Sequence, residues 1–318
     1  MVRPAEREAR VSDNGRDAAA WIAVDWGTSR LRAWGLSAEN DVLWREAADI
    51  GSRRLRRDDF EPALLSCLSA RLGPARTPVL IAGTAGAREG WAEAPYRRMP
   101  CPPLGPAGRL GAIPAPAREA RLDVHILPGL AQTEPPDVMR GEEVQIAGFL
   151  ALNPGFDGVI CLPGSHSKWA LISAGEVVGS AGALTGELYA ALCDHTVLRH
   201  VTATADATGA ATDERDATGP WDATAFGDGL GEGMASPDKL LARLFALRAE
   251  GVLGLREPGA ARAWLSGLLI GAELAALRGY WLGQNLAVLG AAPLAGRYTA
   301  ALSAQGAAPI EADGEAMA

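Results

Sequence analysis

Two stretches of the chain, about 135 positions apart, repeat one device: an apolar strand runs into a turn of small residues and leaves as a second strand. The first, residues 21–36, reads Trp-Ile-Ala-Val-Asp-Trp-Gly-Thr-Ser-Arg-Leu-Arg-Ala-Trp-Gly-Leu. The second starts at residue 159 and reads Val-Ile-Cys-Leu-Pro-Gly-Ser-His-Ser-Lys-Trp-Ala-Leu-Ile. One supersecondary unit repeated at that distance implies a duplicated α/β fold, two lobes with a cleft between them. The turns also imply a chemistry. Gly27, Thr28 and Ser29 let backbone N–H groups and hydroxyls approach phosphate oxygens, and Asp25, a carboxylate ending a buried strand, suits a hydrated Mg²⁺. Asp and Gly are also ordinary residues of a tight hairpin, so the first turn taken alone admits that reading too.

Strand and helix signals alternate along the rest of the chain, as an α/β fold requires. Residues 79–82 form a short buried strand ending in Gly83-Thr84-Ala85-Gly86, residues 125–127 another ending at Pro128-Gly129, and residues 285–290 a last one ending in a glycine-alanine-proline turn. Helices are expected over 142–152, whose leading glutamates suit a helix N-terminus, after the Ser236-Pro237 cap, and over 294–305 before Gly306. Residues 261–279 are the most apolar long segment, but Arg262, Glu273 and Arg278 interrupt it, which makes it a core helix rather than a membrane span. Five prolines and three glycines make 102–116 an irregular loop, Thr, Ala, Asp and Gly make 202–220 a mobile surface loop, and 314–318 reads as the start of a final helix. The expected division is a disordered extension over 1–17, a first lobe over 18–153 and a second over 154–318.

A length of 318 residues with 48% hydrophobic and 21% charged content fits two domains with well-filled cores. The net charge of −8 argues against nucleic acid as a partner, because neutralising phosphates needs a concentrated basic face. The one basic cluster, Arg53 to Arg57, reads as a solvated turn. Residues 1–17 carry arginines among acids with no apolar run behind them, unlike a signal peptide. Cys67, Cys101, Cys161 and Cys193 are widely spaced, which indicates neither a zinc site nor a disulfide framework and suits reduced thiols in the cytoplasm.

The first turn resembles the first phosphate motif of the actin-like ATPase and sugar-kinase superfamily. Taken in order, Ala-Val-Asp-Trp-Gly-Thr-Ser, Ala-Gly-Thr-Ala-Gly-Ala-Arg-Glu-Gly-Trp, Leu-Pro-Gly-Leu, Met-Arg-Gly-Glu-Glu, Leu-Pro-Gly-Ser-His-Ser-Lys-Trp, Leu-Thr-Gly-Glu-Leu and Leu-Ser-Gly-Leu-Leu-Ile-Gly-Ala-Glu resemble the 2-dehydro-3-deoxygalactonokinase family from about residue 20 onward. The resemblance implies a two-lobed actin-like ATPase fold, a duplicated ribonuclease H-like unit, and ATP-dependent phosphorylation of the 6-hydroxyl of 2-dehydro-3-deoxy-D-galactonate in galactonate catabolism. The partners it implies are small molecules, the sugar acid and ATP with Mg²⁺; the oligomeric state stays open.

Phosphoryl transfer is mostly positioning and charge neutralisation, so each motif has an expected task. Asp25 would organise Mg²⁺, while Gly27, Thr28 and Ser29 on one side and Gly164, Ser165 and His166 on the other would offer donors to phosphate. Gly290 would lie under the adenosine. Lys168 would place a cation on a phosphate or on the substrate carboxylate, Arg88 and Arg140 are guanidinium candidates for that carboxylate, and Trp91 is a possible wall. Many superfamily relatives carry an aspartate at the head of the second turn, whereas this chain has Cys161-Leu162-Pro163 there. Exopolyphosphatase-type phosphatases place a functional glutamate in a Gly-x-Glu-Glu setting, and Arg140-Gly141-Glu142-Glu143 resembles it, with Glu143 on the matching position. Glu143 is therefore the first candidate for the base, Glu187 its rival and Asp194 a third. A kinase for another sugar or sugar acid, an exopolyphosphatase-like polyphosphate or nucleotide phosphatase that uses Glu143 to activate water, and a sugar-responsive regulator are the alternatives.

Overall fold

The computed structural model describes residues 19–106, 109–203 and 221–317; the expected extension over 1–17 and most of the expected loop over 202–220 lie outside them. The chain begins with β1 (Trp21–Trp26), β2 (Leu31–Leu36), β3 (Val42–Ala48), α1 (Phe60–Leu68), β4 (Thr77–Gly83), β5 (Tyr96–Arg98), β6 (Ile113–Pro114), β7 (Leu122–Ile126), β8 (Gly129–Thr133) and β9 (Pro136–Met139). There follow α2 (Glu142–Leu152), β10 (Gly158–Leu162), β11 (Ser167–Ser173), β12 (Glu176–Ala183), α3 (Thr185–His195), α4 (Arg199–Thr202), α5 (Ala223–Ala235) and α6 (Leu240–Val252). The last elements are α7 (Pro258–Ala276), α8 (Arg278–Trp281), β13 (Leu286–Gly290), α9 (Ala292–Ser303) and β14 (Ile310–Asp313).

These elements divide into two compact units. In the first, the strand order is β3-β2-β1-β4-β7-β6, with β1, β2 and β3 antiparallel and β1, β4 and β7 parallel. Alternation in β1 sends Ile22, Val24 and Trp26 into the core. Phe60, Leu64 and Leu68, four residues apart on α1, are buried too, and the Phe60 ring lies 5.0 Å from that of Trp26. Each such side chain contributes roughly 1.5–3 kcal/mol by leaving water.

In the second unit the order β12-β11-β10-β13-β14 repeats the pattern: three antiparallel strands, then parallel partners on the other side of the first. This shared order makes each sheet a ribonuclease H-like unit and the chain a duplicated, actin-like fold. Alternate residues of β10 feed two cores, Val159 and Cys161 packing with α7 and α9, Ile160 and Leu162 with α2. A strand buried on both faces has to be apolar throughout, which is why 158–162 reads as a continuous run.

Helix α5 has no counterpart in the sequence reading, because its sequence, Ala-Thr-Ala-Phe-Gly-Asp-Gly-Leu-Gly-Glu-Gly-Met-Ala, carries four glycines that disfavour a helix. Asp222 caps it by accepting from Ala225 N at 2.9 Å. The glycines then serve packing against α7: a Cβ on Gly229 would fall 2.1 Å from Trp264 O, and one on Gly267 2.1 Å from Phe226 O. Residues 314–317, expected to open a helix, form a turn, and Thr202, expected in a loop, ends α4 buried.

Residues 94–111 and 128–153 belong to the second unit by contact, although the sequence placed them in the first lobe. The reason is a three-stranded sheet, β5-β8-β9, and helix α2, whose Met99, Leu130, Met139, Ile146 and Phe149 share a core with β10 and β13. Among the described residues no helix is long and apolar enough to cross a membrane.

Candidate active site

In the first unit, the carboxyl ends of the parallel strands β1 and β4 stand side by side, with Trp26 in register with Gly83. Open α/β sheets bind ligands at that end. Gly83 has φ +98°, and a Cβ there would fall 2.4 Å from Trp26 O, so only glycine lets the two strand ends approach. Thr84 Oγ1 donates to Trp26 O at 2.7 Å and lies 2.6 Å from Ser52 Oγ. The Gly27-Thr28-Ser29 turn is braced in turn by Ser52 N and Arg53 N, which donate to Gly27 O and Thr28 O at 3.1 and 3.3 Å. Gly27 N donates to Arg30 O at 2.9 Å. That bond closes the turn and corrects the expectation of a free Gly27 donor, leaving the N–H groups and hydroxyls of Thr28 and Ser29.

Asp25, one residue before the end of β1, has its side chain 15% exposed and Oδ2 3.4 Å from Nη2 of its cross-strand neighbour Arg32. Magnesium keeps several waters and takes one or two carboxylates plus phosphate oxygens, so a single aspartate here fits a nucleotide-borne ion. Among the described residues there is no group of three or more His, Cys, Asp and Glu able to cage a metal by themselves.

Arg57, expected as solvated, braces the loop after β4 instead: Nε donates to Gly90 O at 3.2 Å and Nη2 to Arg88 O at 2.9 Å. Arg88 itself is exposed, and its guanidinium has no partner among the described residues. Trp91, expected as a wall of the sugar-acid site, is 3% exposed and stacks on Phe60 with centroids 6.5 Å apart. It fills the core of its unit, because the loop turns its backbone N–H to Ala85 O at 2.8 Å and its ring inward.

In the second unit the parallel strands β10 and β13 bring the turn at 163–166 beside Gly290, whose absent Cβ would sit 3.6 Å from Pro163 atoms, an ordinary contact. The start of α3 docks on the same turn. A Cβ on Gly186 would fall 2.3 Å from Gly164 O, and Glu187 N donates to Ser165 O at 2.8 Å. His166 and Glu187, separate candidates in the sequence, are thereby paired, Nε2 to Oε2 at 2.5 Å, both about half exposed. Asp194 lies two turns further along α3.

Glu273 is the residue the sequence undervalued, reading it as an interruption in a core helix. It is buried, its Oε1 accepts from Ser167 Oγ and Trp169 Nε1 at 2.7 Å each, and its Oε2 accepts from Tyr298 Oη at 2.7 Å and from Thr185 Oγ1. One carboxylate thus fixes the strand leaving the second turn, the first residue of α3 and helix α9. Burial, and then the Glu273 charge, push the Tyr298 hydroxyl and the Cys161 thiol well up, so both stay protonated donors or inert groups.

Lys168 points to the other face of the sheet, a correction to its expected role. Its Nζ lies 2.8 Å from Asp137 Oδ1, both side chains are 10% exposed, and Ser180 Oγ donates to Asp137 Oδ2 at 2.5 Å. The ammonium is committed to tying β11, β9 and β12 together, and an anionic ligand would have to break that pair.

Glu143 stands in the first turn of α2, after Gly141 at φ +109°. It is 0% exposed; Gly141 N donates to its Oε2 at 2.7 Å, while Oε1 is buried without a hydrogen-bond partner among the described residues. Desolvation first, and the neighbouring Glu142 second, push its pKa up to about 8. Arg140 is held beside it, its guanidinium 4.2 Å over the Tyr96 ring and Nη2 donating to Ala94 O at 2.8 Å.

Each duplicated unit thus carries a phosphate-type turn at the end of its parallel strands, and the second adds a desolvated carboxylate at a helix start. The model of the family 2-keto-3-deoxy-galactonokinase matches residues 25–318. The chain belongs to that family. A protein of Rhizobium meliloti (strain 1021) named probable 2-dehydro-3-deoxygalactonokinase is 37% identical over 289 residues, 90% of either chain. The 2-dehydro-3-deoxygalactonokinase of Escherichia coli (strain K12) is 31% identical over 291 residues, 91% of either. A crystal structure of a Sinorhizobium meliloti protein assigned to the same enzyme has 35% identity and a TM-score of 0.79, covering 93% of this chain and 95% of that one. As a member of the 2-keto-3-deoxy-galactonokinase family the chain is a kinase, and the motif order that suggested it spans nearly the whole match.

Proposed function

We propose that the chain transfers the γ-phosphate of ATP to the 6-hydroxyl of 2-dehydro-3-deoxy-D-galactonate, in the cytoplasm, with Mg²⁺ held at Asp25. The observation that carries this reading is the family match across residues 25–318, and the duplicated turns agree with it. All four cysteines are free, as suits a reducing compartment. In transfer the O6–phosphorus bond forms as the bond to the ADP oxygen breaks, and the O6 proton passes to Oε1 of Glu143. Asp25 would hold the magnesium, which when bound would supply charge neutralisation to the phosphates. In the first unit Thr28 and Ser29 offer donors to phosphate oxygens, and in the second Gly164 and Ser165 do so, beside His166 held by Glu187. Glu143 is preferred over Glu187 as base because Glu187 is occupied by His166 and because a carboxylate titrating near neutrality suits proton abstraction. A carboxylate that is 0% exposed must be uncovered before a hydroxyl reaches it.

The test is a coupled assay of ADP release across a panel of 2-keto-3-deoxy sugar acids. Release that depends on the galactonate derivative, with weaker response to its epimers, supports the reading. Release of ADP without any sugar acid would favour a phosphatase, and a strong preference for another acid would reassign the substrate.

A further inference from the structure

Arg97 occupies the centre of β5, in register with Leu130 of β8, which faces Met139 of β9. The next residues are Arg140 and Gly141, which lead into α2 and Glu143. The three-stranded sheet therefore carries Arg97 toward the start of that helix. One nitrogen of its guanidinium is used: Nη2 donates to Pro103 O. Nε and Nη1 are buried and have no hydrogen-bond partner among the described residues. The loop above is shaped around Nη1 without bonding it, since a Cβ on Gly105, at φ +86°, would fall 2.5 Å from that nitrogen.

Buried N–H groups left unpaired are costly, and a charged group makes them more so. Glu143 Oε1 is the complementary orphan, an acceptor in the same unit, also buried and also unpaired. Burial pulls the Arg97 pKa down, and the charges of Cys101 and then Glu143 push it back up, so the two orphans share one electrostatic neighbourhood. A direct salt bridge would satisfy both, yet none joins them. What satisfies both at once is a ligand with acceptor oxygens for the guanidinium and a hydroxyl for the carboxylate, which is the chemistry of a hydroxy acid. The two arginines singled out from sequence are less suited: Arg140 is engaged by Tyr96 and Ala94, and Arg88 is exposed.

We propose that Arg97 binds the carboxylate of the sugar acid and so makes the enzyme choose an acid over a neutral sugar. This rests on the function proposed above. A planar guanidinium with two unsatisfied nitrogens recognises a carboxylate through geometry as well as charge, so lysine is only a partial substitute.

The experiment measures binding of 2-dehydro-3-deoxy-D-galactonate and of its C1 amide by calorimetry, without nucleotide, to the unmutated chain and to Arg97→Gln, Arg97→Lys and Glu143→Gln. The unmutated chain should prefer the acid. In Arg97→Gln acid affinity should fall by about 30-fold or more, as for loss of charge-assisted hydrogen bonds, with the amide changed by less than about threefold. Arg97→Lys should recover part of the preference, and Glu143→Gln should keep it while losing turnover. The proposal is overturned if acid and amide affinities fall by the same factor in Arg97→Gln, the mark of a structural role, or if acid preference survives there. Should Arg97→Gln fail to fold, an acid-to-amide ratio in Arg97→Lys equal to that of the unmutated chain overturns it equally. Failure of the function itself shows differently, as no sugar-acid-dependent ADP release by the unmutated chain.

Discussion

Glu143 is held in the folded chain at a cost that depends on pH. Its folded pKa, about 8, lies above the ordinary carboxylate value, so the contribution to stability is fully present below about pH 4.5 and is lost as pH rises toward 8. Within that window the unfolded chain ionises and the folded one does not, with a slope of at most about 1.4 kcal/mol per pH unit. Glu143→Gln mimics the neutral form at all pH values. Its melting temperature should match the parent near pH 4.5 and exceed it at pH 8, by a difference that grows steadily between; a gap of the opposite sign would show that Glu143 is paired and ionised. The same variant should lose turnover by roughly a hundredfold or more, the range for a positioned base. The rise of kcat/KM with pH toward about 8, which reports the free enzyme, should vanish with it. Lys168 is the contrasting residue: its sequence neighbours suggested a ligand contact, and only the fold could show that strand alternation turns it away, toward Asp137. Lys168→Met should lower stability by roughly 3–5 kcal/mol in denaturant titration, because it strands a buried carboxylate. Sugar-acid KM should change little in the folded fraction, and a large KM rise with normal stability would restore the ligand role.

Elements with strong periodicity or clear caps were legible in the sequence: β1 and β2 around the first turn, α2 with its leading glutamates, α7 with its apolar length, and β10 with its unbroken run. What escaped was decided by partners far away along the chain. Helix α5 gives no helix signal because glycine is a poor helix former, and only α7, with Gly267 and Gly271 opposite Gly229 and Gly233, turns those glycines into a close contact. Gly267→Val should therefore separate the two helices and lower the melting temperature by several degrees at least, in line with an overpacking cost of about 1–3 kcal/mol or more. Calorimetry showing an unchanged transition would mean that α5 is free to shift. In the same way, the cover sheet β5-β8-β9 joins three short segments that carry no common pattern, so neither its place in the second unit nor Arg97 at its centre was visible in the sequence.

For the whole molecule, the repeated order of strands in both sheets accounts for what the sequence showed first, two strand–turn–strand units on one chain. Each unit presents its small-residue turn at the carboxyl end of its parallel strands, and each turn is braced by its own unit: by Ser52 and Thr84 in the first, by α3 and Glu273 in the second. The two strand–turn–strand units were legible because each joins apolar strands through a run of small residues, and their repetition says more than either turn alone. The groups proposed as base and carboxylate binder were harder to find, since single glutamates and arginines are common everywhere, and the buried, unpaired atoms of Glu143 and Arg97 appear only once the chain is folded. The proposed reaction is transfer of phosphate to one hydroxyl of one sugar acid. It is tested most directly by ³¹P–¹H correlation NMR on a mixture of the chain, Mg²⁺, ATP and 2-dehydro-3-deoxy-D-galactonate. The expected spectrum shows a new phosphomonoester coupled to the C6 protons, formed in equal amount with ADP. Inorganic phosphate in place of that ester, or an ester on another carbon, would contradict it.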